Sequence, residues 1–283
     1  MIPKDATQDF VEFKKTFMKT ITSISGGKTS GYLAANYPTD YNIFALVTTS
    51  DKNCIYPDKK LRQVVSDKIG KEFIGTIEDD IIIHTILDLE QFIGKEIIWV
   101  SGKTFEELIK YKSNYLPNIM VRYCTTMLKL DPIYRFWRKN INEPVLMNIG
   151  YRASEKNRAD TMRSKENEDG LSEYRNVPWR RANFPLIDDF IERSDINKFW
   201  KDKPVRFAEL NNCIGCFHRS ASLLKKMSEL HPSKFDWFIK QEQETGNFFK
   251  NNISYKKIKD MNFTMSIPFD YDSEGCDSGF CGI

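Results

Sequence analysis

Thr20-Ile21-Thr22-Ser23-Ile24-Ser25-Gly26-Gly27-Lys28-Thr29-Ser30-Gly31-Tyr32 is the stretch on which the reading of this chain turns. The alternating run from Phe17 to Ile24 predicts a strand. It breaks at Gly26-Gly27, and Ser30 to Asn36 predicts a helix. A strand, a glycine turn and a helix N-terminus gather several backbone N–H groups at one point, where an anion is favoured. Ser25, Lys28, Thr29 and Ser30 add hydroxyls and an ammonium. The expectation is a phosphate cradle, and with it a substrate that carries a phosphate chain. A glycine turn with no ligand is the alternative.

Outward from that loop, strand and helix signals alternate. Ile43 to Thr48 predicts a second strand and runs into Thr49-Ser50. Lys59 to Ile69 has helical spacing, and Glu96 to Val100 predicts a third strand. Thr104 with Glu107 forms a capping box for a helix over Phe105 to Tyr111. Thr125 to Lys139 predicts a helix that Pro132 breaks or restarts. Val145 to Ile149 predicts a fourth strand, followed by Gly150-Tyr151-Arg152. Such alternation implies an α/β fold, a mostly parallel twisted sheet flanked by helices, with ligands at the carboxyl ends of strands. Ser154 to Asn176 is dense in charge and reads as a solvated or mobile insertion, or a lid over the phosphate site. From Pro204 the texture changes to short helices, aromatics and four of the six cysteines. The expected division is a nucleotide-binding unit over 1–203 and a small Cys-rich helical subdomain over 204–283.

Composition excludes some classes. A net charge of +3 over 283 residues gives no bulk argument for nucleic acid. No apolar run approaches the ~20 residues of a membrane helix; Ile81-Ile82-Ile83 and Ile97-Ile98-Trp99-Val100 are strand-sized. The first residues lack the apolar core of a signal peptide, so the expectation is a cytoplasmic protein with no membrane partner. In that setting six cysteines point to metal or catalysis rather than disulfides. Gly27-Lys28-Thr29 looks like the end of a Walker A loop, but that pattern needs glycine where Thr22 stands.

Ser25-Gly26-Gly27-Lys28-Thr29-Ser30 resembles the S-G-G-x-[DT]-S loop of the PP-loop, or adenine nucleotide alpha-hydrolase, superfamily. Val121-Arg122-Tyr123-Cys124-Thr125-Thr126 with Leu128-Lys129 resembles the R-x-C-T-x-x-L-K segment of phosphoadenosine phosphosulfate (PAPS) reductase-like proteins. Gly150, Arg152, Glu155 and Arg158 match their G-x-R-x-x-E-x-x-R segment, and Asn183 to Ile187 their aromatic-P-L segment. The resemblance spans roughly residues 17–220. It implies a HUP-like fold and a substrate of ATP or PAPS, with the adenine near Thr48-Thr49 and the phosphates over Gly26-Gly27. Arg122, Lys129, Arg152 and Arg158 would supply cations, and arginine forks suit paired oxygens. Glu155 would orient an arginine or help hold a metal. Many family members carry Asp where Thr29 stands here.

The cysteines leave two questions open. Cys213-x-x-Cys216 and Cys276-x-x-x-x-Cys281 could together hold zinc or a [4Fe–4S] cluster. Related PP-loop sulfur enzymes carry such clusters. Alternatively Cys281, in a Cys-Gly-Ile tail resembling the reductases' nucleophilic tail, attacks sulfur. His218 could replace a cysteine as ligand. Cys124 is either activated by a helix N-terminus or a small buried hydrophobe.

The function expected is ATP-dependent adenylylation with Mg²⁺ and pyrophosphate release, ahead of sulfur transfer or modification of a nucleic acid or small molecule. Lys28, Arg122 and Arg152 would stabilise the leaving charge. The alternatives are a sulfonucleotide reductase using Cys281, and a nucleotide-sensing module without turnover. The lysine–aromatic mixture between Arg206 and Lys259 suits a nucleic-acid partner or solvated helices; a sulfur carrier is the other partner considered.

Overall fold

The computed structural model describes residues 18–211, 213–251 and 253–261. Six strands form one sheet: β1 (Thr20–Ile24), β2 (Tyr41–Leu46), β3 (Ile97–Ser101), β4 (Val145–Asn148), β5 (Ser172–Tyr174) and β6 (Val177–Asn183). Their order is β3-β2-β1-β4-β6-β5. Every neighbouring pair is parallel except β5–β6, a hairpin at one edge. The expected mostly parallel α/β sheet is therefore what forms. β1 starts at Thr20; Phe17, put in this strand from sequence, lies outside the described residues.

The sheet separates two apolar layers because successive strand residues point to opposite faces. Ile43 and Ala45 of β2 face one layer, with Ile21, Met147 and Trp137. Phe44 and Leu46 face the other, with Leu33, Ile86, Trp99 and Trp200. The helices on that second face are α1 (Lys28–Asn36), α2 (Lys59–Ile69) and α3 (Ile81–Ile93). The Ile81 run, strand-sized in the sequence, is thus the first turn of α3, which ends at Gly94 in the left-handed region. α4 (Phe105–Tyr111) starts at the predicted capping box, with Thr104 and Glu107 bonded reciprocally.

The helix predicted from Thr125 to Lys139 begins at Tyr123. It runs through a π-helical segment (Thr126–Leu130) into α5 (Asp131–Asn140), with Pro132 in the first turn of α5, where proline costs least. The charged stretch after Ser154 carries secondary structure. It contains α6 (Lys156–Arg163), which buries Ala159 and Met162, and β5. α7 (Pro185–Asp188) and α8 (Arg193–Trp200) follow β6. α9 (Ala221–Leu230), α10 (Pro232–Thr245) and α11 (Tyr255–Asp260) then pack as a group. Their core is continuous with the main unit, since Leu223, Met227, Trp237 and Tyr255 cluster with Val47, Phe105 and Leu128. Among the described residues, no helix is long and apolar enough to cross a membrane.

Candidate active site

After β1 the chain moves to β2 and β3 on one side, and β4 lies on the other. A reversal of this kind opens a crevice at the carboxyl ends of the two central strands. The glycine loop sits at the end of β1 and Gly150-Tyr151-Arg152 at the end of β4.

The loop's geometry requires its first glycine. Gly26 has φ +82°, and a Cβ there would lie 2.7 Å from Ile82 Cγ2. The Ser25 N–H donates to Ser30 Oγ (3.1 Å), the Gly27 N–H to Ser25 Oγ (3.4 Å) and the Ser30 hydroxyl to Gly27 O (3.1 Å). The two hydroxyls lie 3.0 Å apart and both serines are buried. Ser25 and Ser30 therefore brace the loop from within. No side chain caps α1, whose first N–H groups, like those of any helix, have no partner inside the helix.

Gly27, Lys28 and Thr29 line a cavity of about 330 Å³ with Arg152, Arg193 and Arg219. The acid on its wall is Glu209, which pairs with Lys226. Lys28 Nζ donates to Asn197 on α8 (3.1 Å). The Arg152 guanidinium pairs with Glu155 (3.1 Å), which also accepts the Arg152 N–H. Arg158 pairs with the same carboxylate and lies 4.4 Å over the Tyr151 ring. Of the family-implied residues, Arg152 is on the cavity wall, while Glu155 and Arg158 stand behind it. Arg193 was not singled out from sequence, and Arg219 figured only in the basic–aromatic mixture after Arg206. Each is distant in the chain from the glycine loop, and only folding unites them.

Thr48 and Thr49 are buried at the end of β2. The Thr48 carbonyl accepts from Phe105 N–H (2.9 Å) and the Thr49 N–H donates to Gly75 O (3.0 Å). The Thr49 hydroxyl is taken by Glu106. The Thr48 hydroxyl has no hydrogen-bond partner among the described residues.

Lys129 belongs to a second cavity, of about 50 Å³, and Arg122 lines neither cavity, although its charge is felt by His218. Cys124, Lys129, Cys213, Cys216 and His218 line the second cavity against aromatic walls. Gly215 is required there, because a Cβ would lie 2.6 Å from the Phe238 ring. Ile214 N–H donates to Ile77 O (2.9 Å), and the Tyr255 hydroxyl to Gly215 O (2.9 Å), pinning the Cys-x-x-Cys turn from both sides. Cys276 and Cys281, the other members of the sequence-derived ligand set, lie outside the described residues. Among the described residues, the thiol that folding brings to Cys213 and Cys216 is Cys124.

The electrostatics of this cavity differ from those of the first. Burial, with Cys216 nearby, pushes the Cys124 thiol up to about 11. Burial and Glu78 push Cys213 up as well. Burial opposes the charge on Lys129, but Glu78 together with Cys213 and Cys216 outweighs it and favours the ammonium. That pair is 3.0 Å long, with the Glu78 side chain 1% and Lys129 18% exposed. Burial, Arg122 and Lys250 pull His218 down to about 4, and its Nε2 is buried without a partner. Three thiols and a neutral imidazole are donors suited to zinc or, for the thiols, an iron–sulfur cluster. As placed, no three His, Cys, Asp or Glu side chains among the described residues converge closely enough to hold an ion.

No protein-family profile matches the sequence, and no curated protein does. Among solved structures, the U34-tRNA thiolase NcsA from Methanococcus maripaludis with its [4Fe-4S] cluster is a distant match. It covers 98% of this chain and 88% of that one, at 13% identity and a TM-score of 0.39.

Proposed function

We propose that this protein is a PAPS reductase-like PP-loop enzyme that uses ATP to adenylylate an acceptor ahead of sulfur transfer. One observation carries the reading: the glycine loop, at the switch point of a parallel sheet, shares a cavity with Lys28, Arg152, Arg193 and Arg219. Four cations around a helix N-terminus suit a triphosphate. An acceptor oxygen attacks the α-phosphorus, the bond from that phosphorus to the bridging oxygen breaks, and pyrophosphate leaves. Hydrosulfide then attacks the activated carbon, its C–O bond breaks, AMP leaves and the sulfur stays on the acceptor. The chain's own part is to align the phosphates and neutralise the departing pyrophosphate, with Mg²⁺ sharing that charge. Lys129 lines the cysteine cavity and pairs with Glu78, so the leaving charge is assigned to Lys28, Arg152 and the other arginines of the cationic cavity.

Cys213 and Cys216 would supply two ligands of a zinc or iron–sulfur site whose other sequence-derived members, Cys276 and Cys281, lie outside the described residues. Cys124 and the buried, unpartnered His218 nitrogen lie on the same wall without converging into a closed donor set as placed. Zinc would supply structural anchoring, and a cluster would supply an iron to which sulfur can bind. A nucleic acid or a sulfur carrier is the acceptor class proposed.

The test is pyrophosphate release from ATP by anaerobically purified protein, with metal analysis and an absorption spectrum. ATP-dependent release that Lys28→Ala lowers at least about tenfold supports the proposal. Sulfite release from PAPS that Cys281→Ser abolishes would replace it with the reductase reading.

A further inference from the structure

One strap of chain contributes to both cavities, and a buried arginine that lines the first hydrogen-bonds to Cys213 on the wall of the second. Arg219 is 2% exposed and lines the cationic cavity beside Lys28 and Arg152. Its Nη2 also donates to the carbonyls of Asn211 and Cys213, the latter at 3.4 Å. Asn211 in turn donates through Nδ2 to Ser25 Oγ in the glycine loop (3.3 Å). The Arg219 backbone is fixed independently: its N–H donates to Cys216 O (3.0 Å), and Lys250 Nζ donates to its carbonyl (2.8 Å). A continuous hydrogen-bonded path therefore runs from Ser25 through Asn211 and Arg219 to Cys213.

We infer that Arg219 is a positioning residue that couples the phosphate cavity to the Cys213–Cys216 turn, so that an anion bound over the glycine loop tightens the turn. The physical reason lies in the guanidinium's fork. One face can serve an oxyanion while Nη2 keeps its two carbonyls, so an anion that fixes the fork also fixes the strap. Two sites biasing one element are thermodynamically linked, and the linkage is reciprocal. Lysine cannot reproduce it, because a single ammonium lacks the planar fork. The inference rests on the proposed phosphate reading of the glycine loop and adds a regulation of it: the sulfur-handling side closes when the nucleotide side is filled.

The experiment follows alkylation of individual cysteines by mass spectrometry in the metal-free full-length protein. Inorganic pyrophosphate and ATP are the probes, and calorimetry on the same samples establishes saturation. At saturation, iodoacetamide should modify Cys213 and Cys216 at least about fivefold more slowly than in free protein, the low end of usual coupling factors. Arg219→Lys should abolish the protection at saturation. Arg193→Gln, a cavity residue off the path, should weaken anion binding yet leave the protection intact once saturated. Should Arg219→Lys not fold, the wild-type protection and its survival in Arg193→Gln still decide the matter. Anion binding with unchanged alkylation rates, or protection that persists in Arg219→Lys, overturns the coupling alone. No binding by the wild type would overturn the phosphate reading itself.

Discussion

The two cavities at the carboxyl end of the sheet are built from opposite materials. One is wide and cationic, formed by a local loop plus arginines drawn from three later segments. The other is small, apolar and lined with thiols, and its one ammonium is held by a buried carboxylate. The contrast teaches that residues sharing a motif need not share a site. Lys129 and Arg152 both belong to family-like segments, yet they line different chambers.

The sharpest way to break this division is Lys129→Met. If Lys129 is the partner of Glu78 and no phosphate ligand, the variant strands a buried carboxylate. Stability should fall by about 3 kcal/mol, the low end for broken buried pairs because Lys129 keeps some exposure. Chemical denaturation would measure this. ATP affinity of the folded fraction should stay within about threefold, and a collapse of affinity with intact stability would move Lys129 to the phosphate side.

Glu242 tests the floor under the cysteine turn. It is buried and accepts the N–H groups of Phe249 (3.2 Å) and Tyr255 (2.7 Å), the latter leading to Gly215. Burial raises its carboxyl from 4.5 to about 7, outweighing those two hydrogen bonds. The unfolded chain therefore ionises first, at the lower value. Between about pH 4.5 and pH 7 the folded state binds more protons, so stability contributed by this group is full below 4.5 and lost as pH approaches 7. Glu242→Gln should remove that slope, a difference on the order of 2–3 kcal/mol between variant and wild type across the window. Parallel melting curves at several pH values would check it, and coincident pH profiles would refute it.

Arg152→Ala probes the other chamber. Loss of one charge-assisted contact should raise the KM for ATP roughly tenfold to a hundredfold. The iron or zinc content should be unchanged. The smallest effect belongs to Tyr255→Phe. It leaves Gly215 O without its hydroxyl donor and should cost about 1 kcal/mol in thermal unfolding, with the cysteines alkylated faster and ATP bound slightly more weakly through the linkage.

Much of the fold was legible because its signals are local. The helices predicted over Lys59–Ile69 and Phe105–Tyr111 form with those bounds. Asp58 caps the first, which ends at left-handed Gly70, and Thr104 with Glu107 caps the second. The glycine loop was legible for the same reason. α3 was not, since three consecutive isoleucines favour a strand in isolation and only packing against β2 and α1 makes them helical. The β5–β6 hairpin hid behind charge, because Arg180 is buried in the sheet beside Trp179. The grouping of Cys124 with Cys213 and Cys216 was also invisible, as no spacing rule joins residues so far apart in the chain.

The account stands or falls on the grip of the glycine loop, and calorimetric titration of ATP into the wild type and Gly26→Ala tests it most directly. The wild type should bind one equivalent, with inorganic pyrophosphate competing. Gly26→Ala should lose about a hundredfold in affinity, because a Cβ at φ +82° meets Ile82 and pulls the loop apart. Silence from the wild type with ATP, PAPS and pyrophosphate alike, or equal binding by Gly26→Ala, would contradict it.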